Sequence, residues 1–160
     1  MSVCSYIGLF KVLDGIEGMS GNYPGLLKRR AESMMRLAVR LLREGEFDLA
    51  VLNAEYAVQL YIKSLLYRLS GEEWRGHSVR TLLGALALIL EENRLNDVAE
   101  RIYDFTRRNR RILAELDEAH TRSIYGAFEY SKDQARVIVD AAQSIIKLVK
   151  GIEEVLFKRA

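Results

Sequence analysis

Residues 47–69 read FDLAVLNAEYAVQLYIKSLLYRL. Between Leu49 and Ile62 only Asn53, Glu55 and Gln59 are polar, tyrosines aside. A helix that is apolar almost all round is buried on several sides. This stretch is therefore read as the central helix of the fold, running from Phe47 to about Leu69 and stopped by Gly71.

Upstream, Leu27, Ala31, Met34, Ala38 and Leu41 recur at steps of four and three and make one apolar stripe. The spacing predicts a helix over Pro24 to Glu44, with Pro24 in its first turn and Gly45 as its C-terminal cap. Glu32 and Arg36 form an i,i+4 pair on its other side. Residues 1–23 hold Gly15, Gly18 and Gly21 and read as a loose arm before a bundle over 24–160.

Downstream, three more helices are predicted. One runs from Ser78, a good N-cap residue, to Glu91, with Leu82, Leu83, Leu86, Ile89 and Leu90 inward. A second runs without interruption from Asp97 to His120, with a capping box from Asp97 to Glu100. Its seam is Val98, Ile102, Phe105, Asn109, Ile112, Leu116 and His120, and a loop over residues 121–130 follows. The last runs from Ser131 to Lys158, with Ala135, Ile138, Ala142, Ile145, Leu148, Ile152 and Leu156 on one face. The expected class is all-α, an antiparallel up-down bundle of four to five helices. Glu46-Phe47-Asp48-Leu49-Ala50 has a faint tetratricopeptide look, but no further units follow to build a solenoid.

Composition agrees with one globular domain. Of 160 residues, 49% are hydrophobic and 29% charged, so the chain is neither disordered nor membrane-embedded. A net charge of +2 is too weak to argue nucleic-acid binding by itself. The dense mixed-sign charge suits a thermophilic source. Cys4 is the single cysteine, so no internal disulfide forms and a reducing cytoplasm is the simplest location. Residues 1–19 lack the basic start and cleavage site of a signal peptide. No apolar run is long enough to span a membrane.

No phosphate loop, nucleotide fingerprint, zinc pattern or nucleophile elbow occurs, and no metal or cofactor is expected. Four features remain. Glu55, Gln59 and Lys63 share one helix face, either as a ligand or subunit contact or as the face turned to water. Gly76-His77-Ser78 is a loop and cap, or a polar group at one end of the bundle. Arg107-Arg108-Asn109-Arg110-Arg111 spreads round more than a full turn, so its arginines cannot all face one ligand. They grip phosphate or form a solvated face. Finally, Asp117, His120, Arg122 and Tyr125 crowd the end of the fourth helix. Histidine moves protons readily near neutral pH. That makes this segment the best single candidate for a site, with helix capping as the alternative.

Three of these segments, in this order, resemble the HEPN family (higher eukaryotes and prokaryotes nucleotide-binding). They are Leu52 to Leu66, Gly76 to Leu83, and Asp117 to Tyr125 followed by Ser131-Lys132-Asp133-Gln134-Ala135. The resemblance spans about Leu26 to Leu156. It implies a bundle of four long helices plus a short one, commonly dimeric. It also implies partnership with a small nucleotidyltransferase in toxin–antitoxin-like pairs.

Members of the family's active branches are ribonucleases, with an Arg, a polar residue, and a His four to six residues on. Here Arg108 and Asn109 match the first two, but the next His is His120. Along one helix Arg108 and His120 would stand roughly 18 Å apart. A ribonuclease would then need Arg108 or Arg111 of one subunit and His120 of another. The family's Arg-Tyr-Pro is replaced by Ile124-Tyr125-Gly126, with Arg122 the nearest cation.

The resemblance and the residues together favour a non-catalytic module that binds a nucleotide or RNA. Its ligand-binding residues would be Gln59, Lys63, His77, Asp117, His120, Arg122 and Tyr125. A ribonuclease using His120, Arg108 and Asn109, and a scaffold without a ligand, are the alternatives.

Overall fold

The computed structural model describes residues 22–157. Most of the arm predicted before Pro24, Cys4 included, and the end of the last helix at Lys158 lie outside them. Six helices and no strand occur among the described residues: α1 (Tyr23–Glu44), α2 (Phe47–Ser70), α3 (Val79–Glu92), α4 (Asn96–Arg108), α5 (Arg110–Tyr125) and α6 (Lys132–Phe157). Among the described residues no helix is long and apolar enough to cross a membrane.

The helix ends follow local chemistry. Gly45 and Gly71 stand at positive φ, 83° and 73°, and close α1 and α2. A residue with a β-carbon is strained there, which is why glycine stops both helices. Ser78 Oγ accepts from the Thr81 amide at 3.2 Å and caps α3. Ser131 and Gln134 form a reciprocal box at the start of α6. The Ser131 amide donates to Gln134 Oε1 at 3.0 Å, and the Gln134 amide to Ser131 Oγ at 3.2 Å.

α2 is the axis of the bundle. It packs against α1, α6, α5 and α3, while α4 rests chiefly on α3. Val51, Ala54, Ala57, Val58, Ile62 and Leu66 of α2 are wholly buried. Burying a large aliphatic side chain contributes about 1.5–3 kcal/mol. These residues, with Leu83 and Leu86 from α3, Leu116 from α5 and Val149 and Ile152 from α6, form one core.

The predicted fourth helix differs in three ways. It is two helices, broken at Asn109, whose backbone leaves the helical region at φ −117°, ψ 21°. Asn109 Nδ2 bonds back to the Phe105 carbonyl at 2.8 Å, as Asn53 does to Leu49 within α2. Asn109 is thus half-buried at a joint, not a member of a core seam. The inward residues are Ala99 and Ile102 in α4 and Leu113, Leu116 and Ala119 in α5, so Leu113 and Ala119 take the places expected of Ile112 and His120. Second, α4 starts without a side-chain cap, so the Asp97–Glu100 box does not form. Third, residues 121–125, predicted as loop, continue α5 to Tyr125.

Candidate functional site

The site begins with two polar residues on the buried axis. Glu55 and Gln59 are one turn apart on α2 and only 1% and 2% exposed. The reading of this face as solvated is therefore overturned. A carboxyl and an amide at that depth require hydrogen-bond partners.

Gln59 Nε2 donates to Glu55 Oε1 in a short contact. The other end of the amide, Oε1, faces His77 Nδ1 at 3.2 Å. Because that oxygen can only accept, His77 Nδ1 carries the proton in this arrangement. Beyond Glu55, its Oε2 faces His120 Nδ1 of α5 at 3.6 Å. Two histidines are thus bridged by an amide and a carboxyl. His77 is exposed, and the His120 side chain is 39% exposed, so the row opens to solvent at both histidines. The ring of Tyr56 meets that of His120 edge-on at 5.0 Å.

The charge balance of the row is set mainly by burial, which raises the Glu55 carboxyl above its ordinary range. The Gln59 hydrogen bond and the nearby His120 oppose that rise, and Asp117 adds to it. Glu55 Oε2, His120 Nδ1 and Ser123 Oγ are buried and lack hydrogen-bond partners. Lys63, further along the same face, is half-buried. Burial lowers its pKa, and the attraction of Glu55 opposes the fall.

Asp117 holds this arrangement together. It accepts from the Val79 amide at 2.6 Å, from Ser78 Oγ at 2.9 Å and from Arg80 Nε at 2.7 Å. Its charge sits at the N-terminus of α3, where the orphan amides and the helix dipole favour an anion. The bonds tie α5 to the segment that carries His77 and fix that ring beside Gln59. Asp117 is thus a positioning residue in this geometry.

The other sequence-predicted residues lie apart from the row. The Arg122 guanidinium stacks over the Tyr130 ring at 4.8 Å, a cation–π contact. Tyr125 is 80% exposed. Arg108 is exposed at the end of α4, across the Asn109 joint from the helix that bears His120. Arg107 pairs with Glu100 and Asp104, and Arg111 with Glu115. Among the described residues, no group of three His, Cys, Asp or Glu could hold a metal ion.

Sequence reasoning missed one charged cluster. Glu153 of α6 is buried and accepts from Lys28 Nζ at 2.8 Å and Arg68 Nη1 at 2.7 Å, with the Tyr61 hydroxyl at 3.4 Å. Arg68 also lies over the Phe157 ring, 3.5 Å from its centroid. The cluster pins α1, α2 and α6 together. Its one sequence signal was a Glu directly after Ile152 on the core face of α6.

The family model for the HEPN domain matches residues 25–152, most of the chain. The chain belongs to the HEPN family. No curated protein and no solved structure matches it. The matched span contains all of the polar row and of the Asp117 cap. In this HEPN domain the conspicuous chemistry is therefore the Glu55–Gln59–His77–His120 row rather than the arginine run.

Proposed function

We propose that this HEPN domain is a non-catalytic module that binds a nucleotide at the mouth of the polar row and works beside a small nucleotidyltransferase. The observation that carries the reading is the inner end of the row, where Glu55 Oε2 and His120 Nδ1 meet only at 3.6 Å and Ser123 Oγ has no hydrogen-bond partner, beside the half-exposed His120 ring. Buried polar atoms without partners are uncommon. A base edge or a ribose offers both donors and acceptors to such atoms, and the Tyr56 and His120 rings supply flat surfaces beside them. The nucleotidyltransferase partner, the toxin–antitoxin-like setting and a homodimer rest on the family resemblance.

The test is calorimetric titration of the purified protein with ATP, GTP and their nucleosides. Saturable binding that is lost in His120→Ala and in Gln59→Leu is the expected result. No heat with any of them removes the nucleotide half of the proposal. Failure of a co-expressed neighbouring nucleotidyltransferase to co-purify removes the other half.

A ribonuclease reading is favoured by one observation, the half-exposed His120 beside the buried Glu55 carboxyl. A histidine oriented by a carboxyl suits general acid–base chemistry. It would draw its phosphate-binding arginine from a second subunit, since Arg108 lies beyond the Asn109 joint. RNA cleavage that disappears in His120→Ala would establish it in place of the binding reading.

A further inference from the structure

A groove of about 580 Å³ runs between α1 and α6. Met35, Val39 and Ile146 give it apolar walls, and Arg36, Arg40, Arg43 and Lys150 rim it. A second groove on the other side of Lys150, between α4 and α6, adds Arg101 and Lys147 together with the acid Glu154. The whole chain carries a net charge of only +2. Four cations against the single acid Glu32 in the first groove is therefore a local concentration of charge. Nothing in the polar row or its Asp117 brace uses this surface.

We infer that the α1–α6 groove docks an acidic amphipathic helix of a partner protein. Arg36, Arg40 and Arg43 are spaced by four and three, so they share one face of α1 over roughly 10 Å. A helix laid along the groove has the same rise per residue. Carboxylates at its own spacing of four and three meet the three guanidiniums, and its apolar stripe enters between α1 and α6. This is the helix-in-groove mode of recognition.

The arginines are only lightly engaged within the chain. Arg40 reaches Glu44 at 3.7 Å with both side chains largely exposed, and Arg36 meets the Ser33 hydroxyl at 2.9 Å. Two features favour a peptide over a nucleic acid. The apolar walls gain nothing from a phosphate backbone. The aromatic residue of the groove, Tyr61, is 2% exposed, which leaves no ring face for a base to stack on. The inference deepens the partner half of the proposed function and depends on it only for the partner's identity.

The experiment uses the full-length protein and a labelled helical peptide with a leucine stripe and glutamates elsewhere. A matched peptide with lysines for glutamates and a single-stranded oligonucleotide are the comparisons. The acidic peptide binds, the basic one does not, and added salt weakens the complex. Arg36→Glu/Arg40→Glu/Arg43→Glu lowers affinity about tenfold or more, the sum expected of three exposed pairs. Circular dichroism checks that this variant is folded. Should it not fold, Arg40→Glu alone carries the test, with a smaller loss in the same direction.

Equal binding of the two peptides overturns the inference. So does displacement of the acidic peptide by the oligonucleotide. A change of oligomeric state in the charge-reversed variant assigns the groove to a second copy of the chain and also overturns it. Peptide binding in a protein that takes up no nucleotide leaves this inference standing while the nucleotide reading falls.

Discussion

Removing the Asp117 carboxylate should loosen the joint between α5 and α3 and displace His77. In Asp117→Ala the buried Val79 amide loses a charged acceptor held at 2.6 Å. Hydrogen bonds to charged groups contribute about 1.5–3 kcal/mol. The Arg80 side chain is half-exposed, so its 2.7 Å pair adds only about 0.2–1 kcal/mol. Ser78 keeps its cap to Thr81 and adds little. The expected destabilisation is about 2–4 kcal/mol, out of a total near 5–15 kcal/mol for a domain. That corresponds to a fall in Tm of roughly 5–15 °C. Asp117→Asn keeps a carbonyl oxygen for Val79 but exchanges a charged hydrogen bond for a neutral one, for a cost of about 1 kcal/mol. Urea denaturation and calorimetry of the three proteins measure both numbers. An alanine variant within about 0.5 kcal/mol of the parent, the range of featureless surface changes, would refute the assignment of Asp117 as the brace. So would an asparagine variant as damaged as the alanine one.

Other substitutions probe the remaining contacts. Because burial raises the Glu55 carboxyl, the folded protein holds a proton that the unfolded chain releases near its ordinary 4.5. Stability is then lost as pH rises from that value through the raised one. Glu55→Gln escapes this loss, so its stability advantage over the parent should grow across that window, and an advantage independent of pH would contradict the assignment. Glu153→Gln leaves Lys28 and Arg68 without their counter-charge. A cost of about 1–3 kcal/mol is expected by urea melt, and a neutral result would mean the cluster is solvent-screened. Leu86→Ala, in the wholly buried face of α3, should cost about 2–5 kcal/mol, and a smaller loss would imply that the site collapses around the cavity. Gly126→Ala puts a β-carbon 2.3 Å from the Arg122 carbonyl oxygen. It should fray the end of α5, read as faster amide exchange over residues 122–125, and unchanged exchange there would contradict the placement.

The helices were legible because their stripes and stop signals are local. Gly45, Gly71, Ser78 and Ser131 each act on their own turn, and the apolar run of 49–62 leaves few places for α2 except the centre. The Asn109 joint was not legible, because seven-residue periodicity runs through it unbroken. The joint shows only in the Asn109 backbone, since its side-chain bond to the Phe105 carbonyl has a twin at Asn53 inside the unbroken α2.

The site was legible residue by residue but not as an arrangement. His77, Asp117 and His120 stood out as types, and Gln59 by its spacing from Glu55. That Glu55 is buried and faces His120 depends on how α5 packs on α2, a contact 65 residues apart in sequence. Glu153 shows the same gap, since its two cations come from α1 and α2.

The claim that the histidine-flanked row is where a ligand sits is tested most directly by the ring resonances of the two histidines. With isotope-labelled protein titrated with nucleotide, His77 and His120 should shift together and saturably, and the His120 shift should vanish in Glu55→Leu. Ring signals that stay fixed while nucleotide binds elsewhere, or that never move at any nucleotide concentration, would contradict the account.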